Sequence, residues 1–339
     1  MGSKKKNIFN AVFLIAVFGF TIWSIFSGKD LGIIWKYTKT AQLRYLLLGV
    51  ACVVTFIWGE SIIIYYMMRT LNHKVKAMRC YLYSFIGFFF SCVTPSASGG
   101  QPAQIYYMKK DDIPIPVSTL VLMIVTITYK FVLVVIGLAV LIFKPAHVMT
   151  YLEPVKFWCY LGIALNVFCV IAMFTLVFHP SLAKFIMVKG LRLLEHLHLL
   201  KKKPSRMEKL TRSMEQYKVT ASFFWSHMGV VFNAFLITVA QRVILFFVTY
   251  LTYKAFGLKG VGMVDIVCCQ AMISVAVDML PLPGGMGISE KLFLSIFLPI
   301  FGPTLTLPAM IVSRGISYYS QLMISAIMTV VAHFRIGKN

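Results

Sequence analysis

The stretch LPLPGGMGISEK, Leu280 to Lys291, interrupts one of the most apolar parts of the chain with two prolines, three glycines and a glutamate. A second interruption, TPSASGGQPAQ at Thr94 to Gln104, sits in the first half. Irregular backbone at membrane depth is tolerated only where it is buried in protein or lines a hydrated cavity. The two breaks therefore predict a binding site near the bilayer midplane.

Composition supports that setting. With 59% hydrophobic residues over 339 positions and a mean hydropathy of +0.81, the chain has too little polar surface to cover a soluble globule of its size. Apolar runs of about 20 residues are long enough to cross a hydrocarbon core as helices, and they lack the ten-residue alternation of a barrel. The predicted fold is an all-α polytopic membrane protein. Spans are expected at Ile8 to Ser27, Leu43 to Met68, Val117 to Phe143, Val155 to Phe178, Phe223 to Tyr253 and Thr304 to His333. Two apolar pieces, Cys80 to Thr94 and Val264 to Leu280, are short for a span. Each runs into a break and then into another short helical piece, Ala103 to Lys109 and Ile288 to Phe301, so each reads as a re-entrant broken-helix hairpin.

Charge placement tests the topology, because cytoplasmic loops collect Lys and Arg. Lys4, Lys5 and Lys6 place the N-terminus inside. The loop RTLNHKVKAMR (Arg69 to Arg79), the segment from Lys184 to Lys218 and the tail with Arg335 and Lys338 also fall inside if the short segments return to the side they entered. An even number of spans in each break region fits equally well.

With that topology an inverted-topology repeat emerges. Gly99-Gly100 and Gly284-Gly285, the following intramembrane cations Lys130 and Arg314, and the preceding charges Glu60 and Arg242 recur at nearly constant separation. The chain reads as a single transmembrane domain over 1–339, with one pseudo-repeat at about 43–143, a basic cytoplasmic linker at about 180–220, a second pseudo-repeat at about 223–333, and no soluble catalytic domain. Paired breaks in inverted halves point to a transporter site, where half-helix N-termini and free amides attract an anion.

The candidate substrate-binding residues are Glu60, Gly99, Gly100, Gln101, Lys130, Arg242, Asp278, Gly284, Gly285, Glu290 and Arg314. A mid-span ion costs about 2.5 to 3.5 kcal/mol on insertion scales, so such residues default to functional sites. The competing reading is structural: Glu290 as a helix N-terminal cap, and Lys130 in a buried ion pair with Glu60 or Asp278, with Arg242 and Arg314 open to the same account. Lys and Arg suit a lipid phosphate, while Glu60, Asp278 and Glu290 could receive a cationic head group. That mixture fits a zwitterionic or aminoacylated phospholipid better than a simple anion. The same three carboxylates could couple protons, a reading that transport insensitive to a pH gradient would remove.

The breaks, the basic connecting segment and the chain length resemble the lysylphosphatidylglycerol synthase transmembrane, flippase-like family. The resemblance covers nearly the whole chain and rests on Pro283, Gly284, Gly285, Gly287 and Glu290 in a PGG-x-G-x-x-E pattern. The first break carries Ser98 and Gln101 where related chains more often show a charged residue. The resemblance implies a stand-alone counterpart of the flippase moiety of two-part members, in which a soluble domain transfers lysine to phosphatidylglycerol. It implies a flippase for anionic or lysyl phosphatidylglycerol in a bacterial plasma membrane, where the charge placement puts both termini on the cytoplasmic side. A phosphatidylglycerol lysyltransferase and a membrane partner subunit of a separate synthase remain alternatives, and a homo-oligomer is compatible with either.

The net charge of +22 does not require nucleic acid, since the basic residues concentrate in loops that topology makes basic. In Ser181 to Leu200 the residues Leu182, Ile186, Leu193, Leu197 and Leu200 form one stripe, which reads as an interfacial helix on anionic lipid or as an ordinary linker. The seven cysteines show no C-x-x-C spacing and read as small buried residues. No catalytic residue, metal site or cofactor motif is expected; Gly-Gly-Met-Gly lacks the strand and lysine of a nucleotide loop.

Overall fold

In the computed structural model the described residues are 39–94, 97–196, 204–280, 282, 285 and 287–336. The expected span Ile8 to Ser27, Lys4 to Lys6, Pro283 and Gly284 lie outside them. Among the described residues there is no strand, and five helical stretches are long and apolar enough to cross a membrane: Leu43–Thr70, Ile115–Phe143, Ala146–Phe178, Met228–Ala255 and Ile288–Arg335.

The elements in chain order are α1 (Leu43–Thr70), α2 (Ala77–Val93), α3 (Gly100–Lys110), α4 (Ile115–Phe143), α5 (Ala146–Leu152), α6 (Lys156–Phe178), α7 (Pro180–His196), α8 (Pro204–Ser226), α9 (Met228–Ala255), α10 (Met263–Val277), α11 (Ile288–Arg314) and α12 (Gln321–Arg335). The start and stop signals are local. Pro116 occupies the first turn of α4, where a missing N–H costs nothing, and Lys144 in the left-handed region ends it. Asn72 at φ 58° turns the chain just past α1.

Three boundaries matter for the site. Gly302, at φ 76° and ψ 165° and followed by Pro303, breaks α11 and separates the piece after the second break from the last span. The sequence places that separation between Phe301 and Thr304. Within the last span, however, residues Gly315–Ser320 form a π-helical turn directly after Arg314, which apolar periodicity does not reveal. The expected span Phe223 to Tyr253 also differs, because α8 ends at Ser226 and α9 begins at Met228. Ser226 Oγ bonds the carbonyls of Ser222 and Phe223 at 3.0 Å, and His227 leaves helical geometry at ψ 48°. Side-chain bonds to the preceding turn thus compete with the helix ladder at that joint.

The long helices α1 and α9 pack against one another through the middle of the molecule. Around them, α3 folds back on α2, α2 lies against α12, and α10 lies against α4 and α6. The α6–α10 contact is close: a Cβ on Gly162 would overlap the Val275 carbonyl and stand 2.6 Å from Ala276 Cα, and Asn166 Nδ2 reaches the same carbonyl at 3.3 Å. The basic segment expected as a linker at about 180–220 is partly packed against the spans. From it, α8 buries Met214, Tyr217, Ala221 and Phe224, and the Tyr217 hydroxyl donates to the Leu176 carbonyl at 3.1 Å.

Large apolar side chains also cover the outside. Trp58, Phe143, Phe168, Phe232 and Ile327 are each more than half exposed. Exposed large apolar side chains in such number are costly in water, whereas a bilayer solvates them. The chain is a multi-pass membrane protein.

Candidate functional site

The site begins at the crossing of α1 and α9. A Cβ on Gly59 would lie 3.0 Å from Gln241 Cγ, and Gln241 Nε2 donates to the Phe56 carbonyl at 2.7 Å. The absence of a side chain at Gly59 lets the two backbones approach there. Their next residues, Glu60 and Arg242, sit at the middle of both helices.

The first break brings a wall to Glu60. Thr94 Oγ1 accepts the Gly99 N–H at 2.8 Å and donates to the Phe90 carbonyl at 2.7 Å, which ties the break to the end of α2. Gly100 then starts α3 so close to α2 that a Cβ would overlap Ser91 Oγ and stand 2.7 Å from the Gly87 carbonyl. That closeness carries Gln104 Nε2 to 2.8 Å from Glu60 Oε1. Gln101 Nε2 meets Thr126 Oγ1 on α4.

The second break is held by charge. Lys130 Nζ on α4 lies 2.6 Å from Asp278 Oδ2, with both side chains nearly buried at 12% and 10% exposure, and 3.0 Å from Met279 Sδ. The Tyr129 hydroxyl donates to the other Asp278 oxygen. Gly285 stands at φ +66°, a conformation that L side chains adopt only with strain. Beyond it Glu290 Oε2 accepts the Gly287 N–H at 2.5 Å, which is one half of a capping box, since glycine has no side chain to reciprocate. Glu290 Oε1 also receives Arg314 Nη2 and Nε, each at 3.2 Å. Arg314 stacks on Tyr318, whose hydroxyl reaches the Cys92 carbonyl at 2.8 Å, so the π-helical turn is fixed against α2.

Arg242 differs from the other cations. Its guanidinium carbon is 3.5 Å from the Tyr129 ring centroid and 4.8 Å from that of Phe56, and its buried Nε has no hydrogen-bond partner among the described residues.

These groups surround a cavity of about 470 Å³, within the usual range for a small-molecule site. Of the residues singled out in the sequence, Glu60, Gln101, Lys130, Arg242, Asp278, Gly285 and Arg314 line it. Gly99 and Gly100 form the turn behind its wall, Glu290 stands behind Arg314, and Gly284 lies outside the described residues. Tyr129, Gln104, Phe56, Gln241 and Gln270 also line the cavity. Neutral and aromatic, they carry no charge signal in an apolar sequence, although an amide in a membrane span is itself a polar anomaly that flags Gln241 and Gln270. Among the described residues no group of three or more His, Cys, Asp or Glu could hold a metal ion.

The pattern of the lysylphosphatidylglycerol synthase TM region matches residues 10–325, which include both breaks and every wall of this cavity. The chain belongs to that family. No curated protein matches the chain. Family membership suggests a membrane domain associated with lysylphosphatidylglycerol synthesis.

Proposed function

We propose that the chain is a phospholipid translocase that passes head groups through the cavity between the two breaks while the acyl tails remain in lipid. The observation that carries this reading is the clustering of Glu60, Lys130, Arg242, Asp278 and Arg314 around one cavity, with Glu60, Lys130 and Arg242 midway along long apolar helices, in a multi-pass protein of this family. Ions at that depth are costly unless paired or used. Phosphatidylglycerol and its aminoacyl derivatives are the cargo that the family name suggests.

In this reading α2–α3 is a re-entrant hairpin from the cytoplasmic side and α10–α11 is its inverted counterpart from outside, with both termini cytoplasmic. The packing of α2 on α12 supports this reading, as does that of α10 on α4, although α10 also lies against α6 and α9. The pseudo-repeats at about 43–143 and 223–333 then rock about the α1–α9 crossing. Gly285 lets the backbone approach the head group, while Gly99 and Gly100 shape the wall that carries Gln104.

The test is leaflet exchange of fluorescent phosphatidylglycerol and its lysyl derivative in proteoliposomes, comparing the wild type with Lys130→Ala and Arg314→Ala. Protein-dependent exchange, lost in folded variants, supports a transport site. Exchange no faster than in protein-free liposomes removes translocation of these lipids and moves the membrane partner of a separate synthase to first place.

A further inference from the structure

The charges on the cavity wall do not all stand in the same state. Lys130 and Asp278 neutralise each other at 2.6 Å, and Arg314 is engaged by Glu290 at 3.2 Å. Arg242 and Glu60 are left, side by side at the α1–α9 crossing, and neither has an ion-pair partner within 4.0 Å among the described residues. Glu60 receives one neutral amide, from Gln104. Arg242 has aromatic rings against it and an unpartnered buried Nε. A ring against the face of a guanidinium leaves its in-plane N–H edge available, and that edge fits two phosphate oxygens.

From this accounting we infer that the cavity takes a net-neutral zwitterionic head group, a phosphodiester bearing a single ammonium, with the phosphate on Arg242 and the ammonium on Glu60. The inference rests on the translocase reading for its lipid setting and narrows the ligand within it. A phosphodiester without an amine draws the neighbouring Arg242 charge away from Glu60 and leaves that carboxylate buried without a cation of its own. A lysyl ester brings two ammonium groups to one available carboxylate, because Asp278 and Glu290 are already engaged by cations. An uncompensated buried charge is the heaviest penalty such a site can impose, so the two mismatches decide selectivity. Gln104 is a positioning residue here, since its amide holds one oxygen of Glu60 and turns the carboxylate toward the cavity.

The same chemistry occurs in diacyl phosphatidylethanolamine, in phosphatidylglycerol esterified by a neutral amino acid, and in water-soluble glycerophosphoethanolamine. The experiment is binding to the delipidated full chain in detergent, read by native mass spectrometry and by thermal shift, with phosphatidylethanolamine, phosphatidylglycerol, lysyl phosphatidylglycerol and glycerophosphoethanolamine as probes. Phosphatidylethanolamine is expected to bind about tenfold more tightly than either phosphatidylglycerol or its lysyl ester. Glu60→Gln should bring phosphatidylethanolamine and phosphatidylglycerol together, and Arg242→Gln should weaken both. If the soluble ester binds as well as the lipid, the head-group assignment holds and the tails contribute nothing. Equal or tighter binding of phosphatidylglycerol or of its lysyl ester to the wild type overturns the inference, and this ranking needs no variant to fold. Leaflet exchange is scored separately: a zwitterion preference without exchange removes translocation and keeps the head-group site, whereas exchange without the preference does the reverse.

Discussion

Gly59 of α1 and Gln241 of α9 are in contact where the two central helices cross, with the Gln241 amide donating to the Phe56 carbonyl at 2.7 Å. The contact fixes the spacing of Glu60 and Arg242, the next residue on each helix. Gly59→Leu should separate the helices, because the added side chain meets three Gln241 carbons at 3.0 to 3.3 Å. Overpacking of this kind costs about 1 to 3 kcal/mol. Thermal unfolding should show a lowered midpoint, and phospholipid binding should fall further than the midpoint does. Unchanged binding would show that the crossing does not set the site.

Lys130 and Asp278 are each nearly buried, so removing one partner strands the other. Lys130→Ala and Asp278→Ala should each destabilise by roughly 3 to 5 kcal/mol, whereas the double variant should lose clearly less than the sum. A double-mutant cycle on unfolding midpoints measures this directly. Additive losses would mean that the pair is not coupled.

Gly100→Ala places a methyl group on top of Ser91 Oγ and 2.7 Å from the Gly87 carbonyl. The hydroxyl can turn away, but backbone cannot. The variant should push α3 off α2 and withdraw Gln104 from Glu60. Gln104→Leu should mimic the functional part of that defect at a smaller cost in stability. Leaflet exchange lost in both, with the unfolding midpoint lowered mainly in Gly100→Ala, is the expected outcome; full exchange in either would contradict it.

Glu290 serves three neighbours at once, the Gly287 N–H, the Ser289 hydroxyl and Arg314. Glu290→Gln keeps an oxygen for the N–H and loses the charge, whereas Glu290→Ala loses both. The alanine variant should be about 1 kcal/mol less stable than the glutamine variant, the usual worth of a helix N-terminal bond. Equal midpoints would assign the whole effect of Glu290 to Arg314.

How far this site is legible in the sequence depends on the kind of signal each residue emits. Lys130, Arg242 and Arg314 stand out because a cation within an apolar run is an anomaly in the sequence itself. Their partners are not legible. Lys130 is equally consistent with Glu60 and with Asp278 in sequence, and the fold pairs it with Asp278 while giving Glu60 the amide of Gln104. In sequence Glu290 is open to a capping role and to a substrate role; in the fold it caps, and among the described residues it stands behind Arg314, which lines the cavity. Tyr129 emits no signal, since an aromatic in a span is ordinary, yet it touches both Asp278 and Arg242.

Hydropathy over about 20 residues, together with proline and glycine at two points, is enough to specify an all-helical membrane protein and its two proline- and glycine-rich breaks, because crossing lipid requires a long apolar segment that satisfies its own backbone. The joint at His227, the π-helical turn after Arg314 and the choice of charge partners belong to the tertiary fold. Each depends on which helices approach closely, and that is set by small residues such as Gly59, Gly100 and Gly162 meeting particular neighbours far away in the chain. A charge announces itself within its own segment, but the charge that answers it is selected only when packing brings two distant segments within about 3 Å.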